Sequence, residues 1–294
     1  MAIERIIDKR IHDLGGGFEV GRLLPFRSRR MVGPYIFFDH MGPMELAPGI
    51  PRELDVRPHP HIGISTVTYL YSGAITHRDS LGFTQEIHPG EVNWMTSGSG
   101  ITHSERLEYA RKNGALMHGI QAWVALPDGQ EEIDPSFHHH EGADLPEWEE
   151  AGLRGRLIAG SAEGMAAKVP VLSPQFYMHW EMQPGAVRTI PTEYPERAVY
   201  VAVGAAEVAG QLLQAGQMAI LDPGIDVVVR AQQASTVMVL GGEPIGERFM
   251  LWNFVSSSKD RLAEAKEDWK QGRMKLPDAD HDEFIPFPEE RAIV

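Results

Sequence analysis

The chain has 294 residues, with 27 Lys plus Arg against 41 Asp plus Glu, a formal charge of −14 with histidine neutral. That length fits two domains of roughly 100–200 residues, and a composition of 43% hydrophobic and 23% charged residues excludes disorder over most of it. The acidic balance argues against nucleic-acid binding, which needs a basic face. The absence of cysteine removes disulfides, thiolate metal sites and cysteine nucleophiles together, and fits a reducing compartment.

The chain starts Met1-Ala2-Ile3-Glu4-Arg5, with charges and no apolar run of the secretory kind. No stretch reaches the ~18 apolar residues of a membrane helix, so a soluble, cytoplasmic protein with no membrane partner is expected. Short apolar runs between turn residues then predict strands at 17–24, 35–38, 65–71, 74–79, 84–87, 91–95 and 116–125. Gly15-Gly16-Gly17 is expected as a hairpin turn, and Arg27, Arg29 and Arg30 as a solvated turn. The polar stretch 127–151, with Pro127, Pro135 and Pro146, is expected to connect two β-rich blocks, giving domains 1–135 and 136–294. Further strands are predicted at 176–182, 198–203, 217–221, 227–231 and 235–241. Ser256-Ser257-Ser258 then offers N-caps to a helix over 259–271, which Gly272 stops. The acidic, proline-containing tail 277–290 is expected to fold back over the protein or to be partly mobile.

The two blocks resemble each other. Each has an apolar strand ending at glycine (Gly73, Gly204), a polar hairpin, and a glycine before a further strand (Gly90, Gly216), which suggests two copies of one β-domain. Aligning those glycines puts Ile190 and Thr192 opposite His59 and His61, and Val229 and Ala231 opposite His103 and Glu105. On that alignment, polar chemistry survives in the first copy alone.

Two spacings carry chemistry: Pro58-His59-Pro60-His61 and His103-Ser104-Glu105. Residues i and i+2 of a strand share a face, so two such strands can gather His59, His61, His103 and Glu105 around one point. Three neutral imidazoles and a carboxylate suit divalent Fe, Mn, Co, Ni or Zn. The assembly would carry a charge of +1 and, if six-coordinate, keep two positions for water, O2 or substrate. One His-x-His pair is more often ordinary surface or core histidine; two pairs flanking a run of strands make a metal site as strong a reading as the ordinary one.

These segments resemble the pirin family. The resemblance lies in Val32–Pro43 (VGPYIFFDHMGP), Arg57–Gly63 (RPHPHIG), Ser65–Leu70, Gly73–Ser80 (GAITHRDS), Pro89–Thr96 (PGEVNWMT) and Gly100–Glu105 (GITHSE). It is dense in the N-terminal half and looser beyond, where the strand pattern and the Phe254–Arg273 segment carry it. The resemblance implies an all-β bicupin, two tandem jelly-roll barrels with a short C-terminal helix. One metal would sit in the N-terminal barrel, held by His59, His61, His103 and Glu105, with Fe(II) the leading candidate. A general cupin places a glutamate shortly after its His-x-His; here Thr66 and Thr68 occupy that region, which leaves the carboxylate to Glu105.

For activity, the resemblance implies an oxidoreductase of the quercetin 2,3-dioxygenase type, opening a flavonol with O2 and releasing carbon monoxide. Glu105 would be both ligand and catalytic base, taking the proton of the 3-hydroxyl. Other family members are described as regulators, so the alternative is an iron-dependent redox-sensing protein acting through protein partners. A monomer is expected, since two cupins already pair within one chain.

Plainer roles suit other residues. His40 orients a ligand or is a hydrogen-bonded core histidine. His77 and Asp79 are structural members of a hairpin, and His88 is solvated. His138-His139-His140 are exposed in an acidic loop, and Trp94 and Met95 belong to the barrel core. The run Gly98–His103 begins like a dinucleotide loop but leads into a strand, and neither a Gly-x-Ser-x-Gly nor a His-Glu-x-x-His motif is present.

Overall fold

The computed structural model describes residues 2–289; of the acidic tail, Glu290 lies outside them. Strands dominate, joined by glycine- and proline-rich turns. The predicted strands are present within two residues of their expected bounds, except that the one expected at 35–38 continues to Leu46. The helix runs Lys259–Lys270, with Ser258 Oγ accepting from the Arg261 N–H at its N-terminus. Among the described residues no helix is long and apolar enough to cross a membrane.

Packing divides the chain into two units that do not follow a single cut. Among the described residues, one comprises 2–11, 21–40 and 140–245; the other comprises 12–20, 41–139 and 246–289. One of the breaks, at 139/140, lies within the stretch 127–151. The terminal segments are exchanged, however. Ile3–Asp8 pairs antiparallel with Gln217–Leu221, and the C-terminal helix belongs with 41–139. Hydrogen-bonding demand explains the first exchange: an edge strand such as Gln217–Leu221 presents unpaired N–H and C=O groups, and a terminal segment can cover them. The connection is itself structured, with strands Ser136–His140 and Glu147–Glu150.

The unit containing 140–245 packs an eight-stranded sheet and a four-stranded sheet around an apolar core. Ile190, Val229 and Ala231 lie in that core and Thr192 is exposed. The positions aligned with the candidate ligands are therefore filled by hydrocarbon or turned to solvent.

In the other unit, the four-stranded sheet runs in the order Val56–His61, Ile101–Arg106, Ile75–Asp79, Thr84–Ile87. A second sheet, with Val92–Thr96, Ile64–Ser72 and Ala115–Ala125 as neighbours, faces it. Alternation in Ile101–Arg106 explains the layering: Ile101, His103 and Glu105 share one face, and Thr102, Ser104 and Arg106 share the other. The acidic tail straps this second face. Thr102 donates to the Lys275 carbonyl, and Ser104 Oγ and Arg106 Nε both donate to Asp280 Oδ2, at 2.6 and 2.7 Å. The Ile285 N–H donates to the Pro58 carbonyl at 2.8 Å. Trp269 of the helix packs with Ile62, Phe254, Leu262 and Phe287.

Candidate metal centre

His59 and His103 are directly opposed in the ladder between Val56–His61 and Ile101–Arg106. With His61 two residues on, the three rings converge, their centroids 4.4, 4.9 and 5.1 Å apart. One nitrogen from each lies within 4.8 Å of the others, and the three residues are only 6%, 1% and 1% exposed.

Outer contacts settle which nitrogen is free. A backbone carbonyl can only accept, so the ring nitrogen facing it carries the hydrogen. His59 Nδ1 donates to the Arg57 carbonyl at 2.9 Å and His61 Nδ1 to the Asn253 carbonyl at 3.1 Å. Each neutral ring therefore keeps its Nε2 lone pair free. His103 Nε2 is buried with no hydrogen-bond partner, and such an orphaned atom needs an explanation. A cation at the convergence point of the three rings supplies it, so this donor set fits a metal ion of the kind imidazole favours.

Burial keeps the rings neutral. Desolvation lowers the pKa of His59 to about 4, against a weaker raising effect of the Arg57 carbonyl. His61 and His103 are pushed well below the usual histidine value, first by burial and then by their histidine neighbours. Ligands that are already deprotonated bind metal without competing protons near neutral pH.

Glu105 is placed differently from the three histidines. It follows His103 by two residues, across a ladder irregularity opposite Val56, and its carboxyl is outside the group within 4.8 Å. Thr68 and Gln121, on the facing sheet, hydrogen-bond it. Thr68 also donates to Gln121 Oε1 at 2.7 Å. The residue is partly exposed as a whole, yet desolvation of its carboxyl outweighs those two bonds and raises its pKa to about 7.

The remaining sequence candidates scatter. His40 is buried in the unit containing 140–245, where Nδ1 lies 2.5 Å from the Tyr200 hydroxyl. His88 is half exposed and paired with Glu86. His138–His140 lie in a strand and not in a loop; only His138 is fully exposed, while His139 Nδ1 meets Asn93 Oδ1 at 2.8 Å. Trp94 is core, and Met95 packs with Ile101 and Phe137. His77 and Asp79 do more than the expected hairpin role: His77 Nε2 meets Asp79 Oδ2 at 2.9 Å, and its Nδ1 faces His103 Nδ1 at 3.4 Å. Their i, i+2 spacing, the same as in the other two pairs, was the available signal. Thr68, Gln121 and Trp123, whose ring lies 5.0 Å from that of His61, carried no motif; they share the site through inward alternation alone.

A family model described as Pirin matches residues 17–124, and one described as the Pirin C-terminal cupin domain matches residues 177–275. The chain belongs to the pirin family. A pirin-like protein of Caulobacter vibrioides is 62% identical over 288 residues, 98% of this chain and all of that one. A Pseudomonas aeruginosa protein provisionally named quercetin 2,3-dioxygenase is 39% identical, covering 90% of this chain and 83% of its own. The crystal structure of a quercetin 2,3-dioxygenase from Acinetobacter baumannii superposes with a TM-score of 0.89 at 33% identity, covering 98% of this chain and 97% of that one. Both pirin domains are thus cupins, and the chain is similar to oxidoreductases acting on a small molecule and O2.

Proposed function

We propose that this pirin is a metal-dependent cytoplasmic dioxygenase that opens a flavonol-type ring with O2 and releases carbon monoxide. The observation that carries the reading is three buried imidazoles, each with Nε2 free, converging beside the Glu105 carboxyl. His59, His61 and His103 would hold a divalent ion, Fe(II) foremost, and Glu105 would be its fourth ligand. When bound, the ion supplies Lewis acidity toward an anionic oxygen and a route for electrons to O2.

The chain's own residues do the rest. Glu105 takes the proton of the substrate's acidic enol-type hydroxyl, as a positioned carboxylate beside the reacting oxygen can. Thr68 and Gln121 hold the carboxyl in place while it does so. Trp123, whose ring lies 5.0 Å from that of His61, supplies an apolar wall that limits water around the reacting centre.

The test is carbon monoxide release from quercetin. The protein is stripped, then reloaded anaerobically with Fe(II), Mn(II), Co(II) or Ni(II), and compared with His61→Ala and Glu105→Gln. Release is expected from the intact site, with none from His61→Ala and a loss of about 10²-fold or more from Glu105→Gln. Stoichiometric metal binding with no carbon monoxide from any metal would overturn the dioxygenase reading.

A further inference from the structure

His103 differs from the other two histidines in what stands behind it. His59 and His61 lean on backbone carbonyls, whereas His103 leans on a side chain, His77, which leans in turn on Asp79. All three sit on neighbouring strands, with His103 opposite Asp79 and Glu105 opposite His77.

The hydrogens along this row can be placed one after another. Asp79 Oδ1 accepts the backbone N–H groups of Leu81 and Phe83, at 3.0 and 3.1 Å. The carboxylate is thereby fixed as an acceptor, and Oδ2 takes the His77 Nε2–H at 2.9 Å. His77 Nδ1 is then an acceptor, so across the long 3.4 Å contact it is His103 Nδ1 that donates. His103 Nε2 is left with its lone pair, and this is the buried atom without a partner. The arm is also held against rotation. The His77 ring stacks on Phe137 at 4.3 Å and 11°, and Phe137 contacts Phe83 at 5.2 Å.

We propose that Asp79 and His77 are positioning residues that fix the orientation and tautomer of His103, so that a metal ion finds a preorganised third nitrogen ligand. The proposal rests on the metal reading above. Partners of this kind are general behind metal-bound histidine, and losing one typically costs about 10–100-fold in affinity.

Asp79→Asn separates this role from the hairpin role. An asparagine Oδ1 still accepts from Leu81 and Phe83, so the turn is kept. Its NH2 group replaces the acceptor facing His77, which reverses the row and puts a hydrogen on His103 Nε2. His77→Phe keeps the stack on Phe137 and deletes the row. His77→Gln can still donate to Asp79 and accept from His103.

The experiment titrates the metal-free full chain with Co(II), by calorimetry and by the visible Co(II) spectrum, and records metal-free thermal unfolding of each variant. His103→Ala is the control for the site itself. Asp79→Asn and His77→Phe are expected to bind about 10–100-fold more weakly with altered Co(II) bands, while the metal-free Tm stays near that of the parent and His77→Gln recovers part of the affinity. His77→Phe carries the test if Asp79→Asn does not fold. Parent-like Kd and spectrum in these variants, with binding abolished in His103→Ala, would overturn the arm and leave the metal centre standing. Failure of the parent chain to bind Co(II) would overturn both.

Discussion

The residues at the centre are poised by burial, in opposite directions for base and acid. The folded pKa of His59, about 4, lies below the unfolded value of ~6.5, so between those values the unfolded chain binds more protons. Stability from this group is complete above pH ~6.5 and is lost as pH falls toward 4. His61 and His103 shift the same way. Glu105 opposes them. Its folded pKa of about 7 exceeds its unfolded value, so its contribution falls as pH rises through that interval. For the metal-free protein, denaturant midpoints should therefore drop between pH 7 and 5, with His59 alone accounting for about 2 kcal/mol. His59→Asn should flatten that slope and Glu105→Gln should steepen it; a slope unchanged in both would mean that burial does not set these values.

The Ile101–Arg106 strand ties the centre to the C-terminal tail. Its inward face carries His103 and Glu105, and its outward face is clamped by Asp280 through Ser104 and Arg106. Arg106 is 2% exposed and also meets Asp55 and Glu283, so removing Asp280 weakens a buried cation's shell without emptying it. Asp280→Asn should cost about 2 kcal/mol and loosen the strand that bears two of the four candidate ligands. Denaturant unfolding reads the first effect and Co(II) affinity the second. Gly63 supports the other ligand strand. At φ +68 it closes the turn after His61, and a Cβ there would come within 2.0 Å of the Val255 carbonyl oxygen. Gly63→Ala should destabilise the chain by more than 1 kcal/mol, combining left-handed backbone strain with a clash against backbone. Strand identity was legible at this scale, because period-two alternation and turn residues are local signals. The clamp was not, because Ser104, Arg106 and Asp280 are 174 or more residues apart in their pairing and carry no periodic signature.

For the whole molecule, both packing units have apolar cores, and among the described residues the histidine cluster lies in the unit containing 41–139. A ligand that binds only the folded state stabilises the unit it touches. Adding Co(II) should therefore slow amide exchange in segments 41–139 and 246–289, and leave 140–245 close to its metal-free protection. Equal protection in both would assign the binding elsewhere.

The candidate ligand pairs, the contrast between the two repeats and the all-β class follow from spacing, because a strand turns residues i and i+2 to one side whatever it later meets. Tertiary structure decided which segments exchange between packing units, which face of Ile101–Arg106 the tail covers, and which nitrogen of each histidine is free. Those outcomes depend on partners such as Asn253 and Asp280, brought close only when the chain has closed over long separations. No local periodicity encodes such partners. They are selected because a buried donor or acceptor must find one.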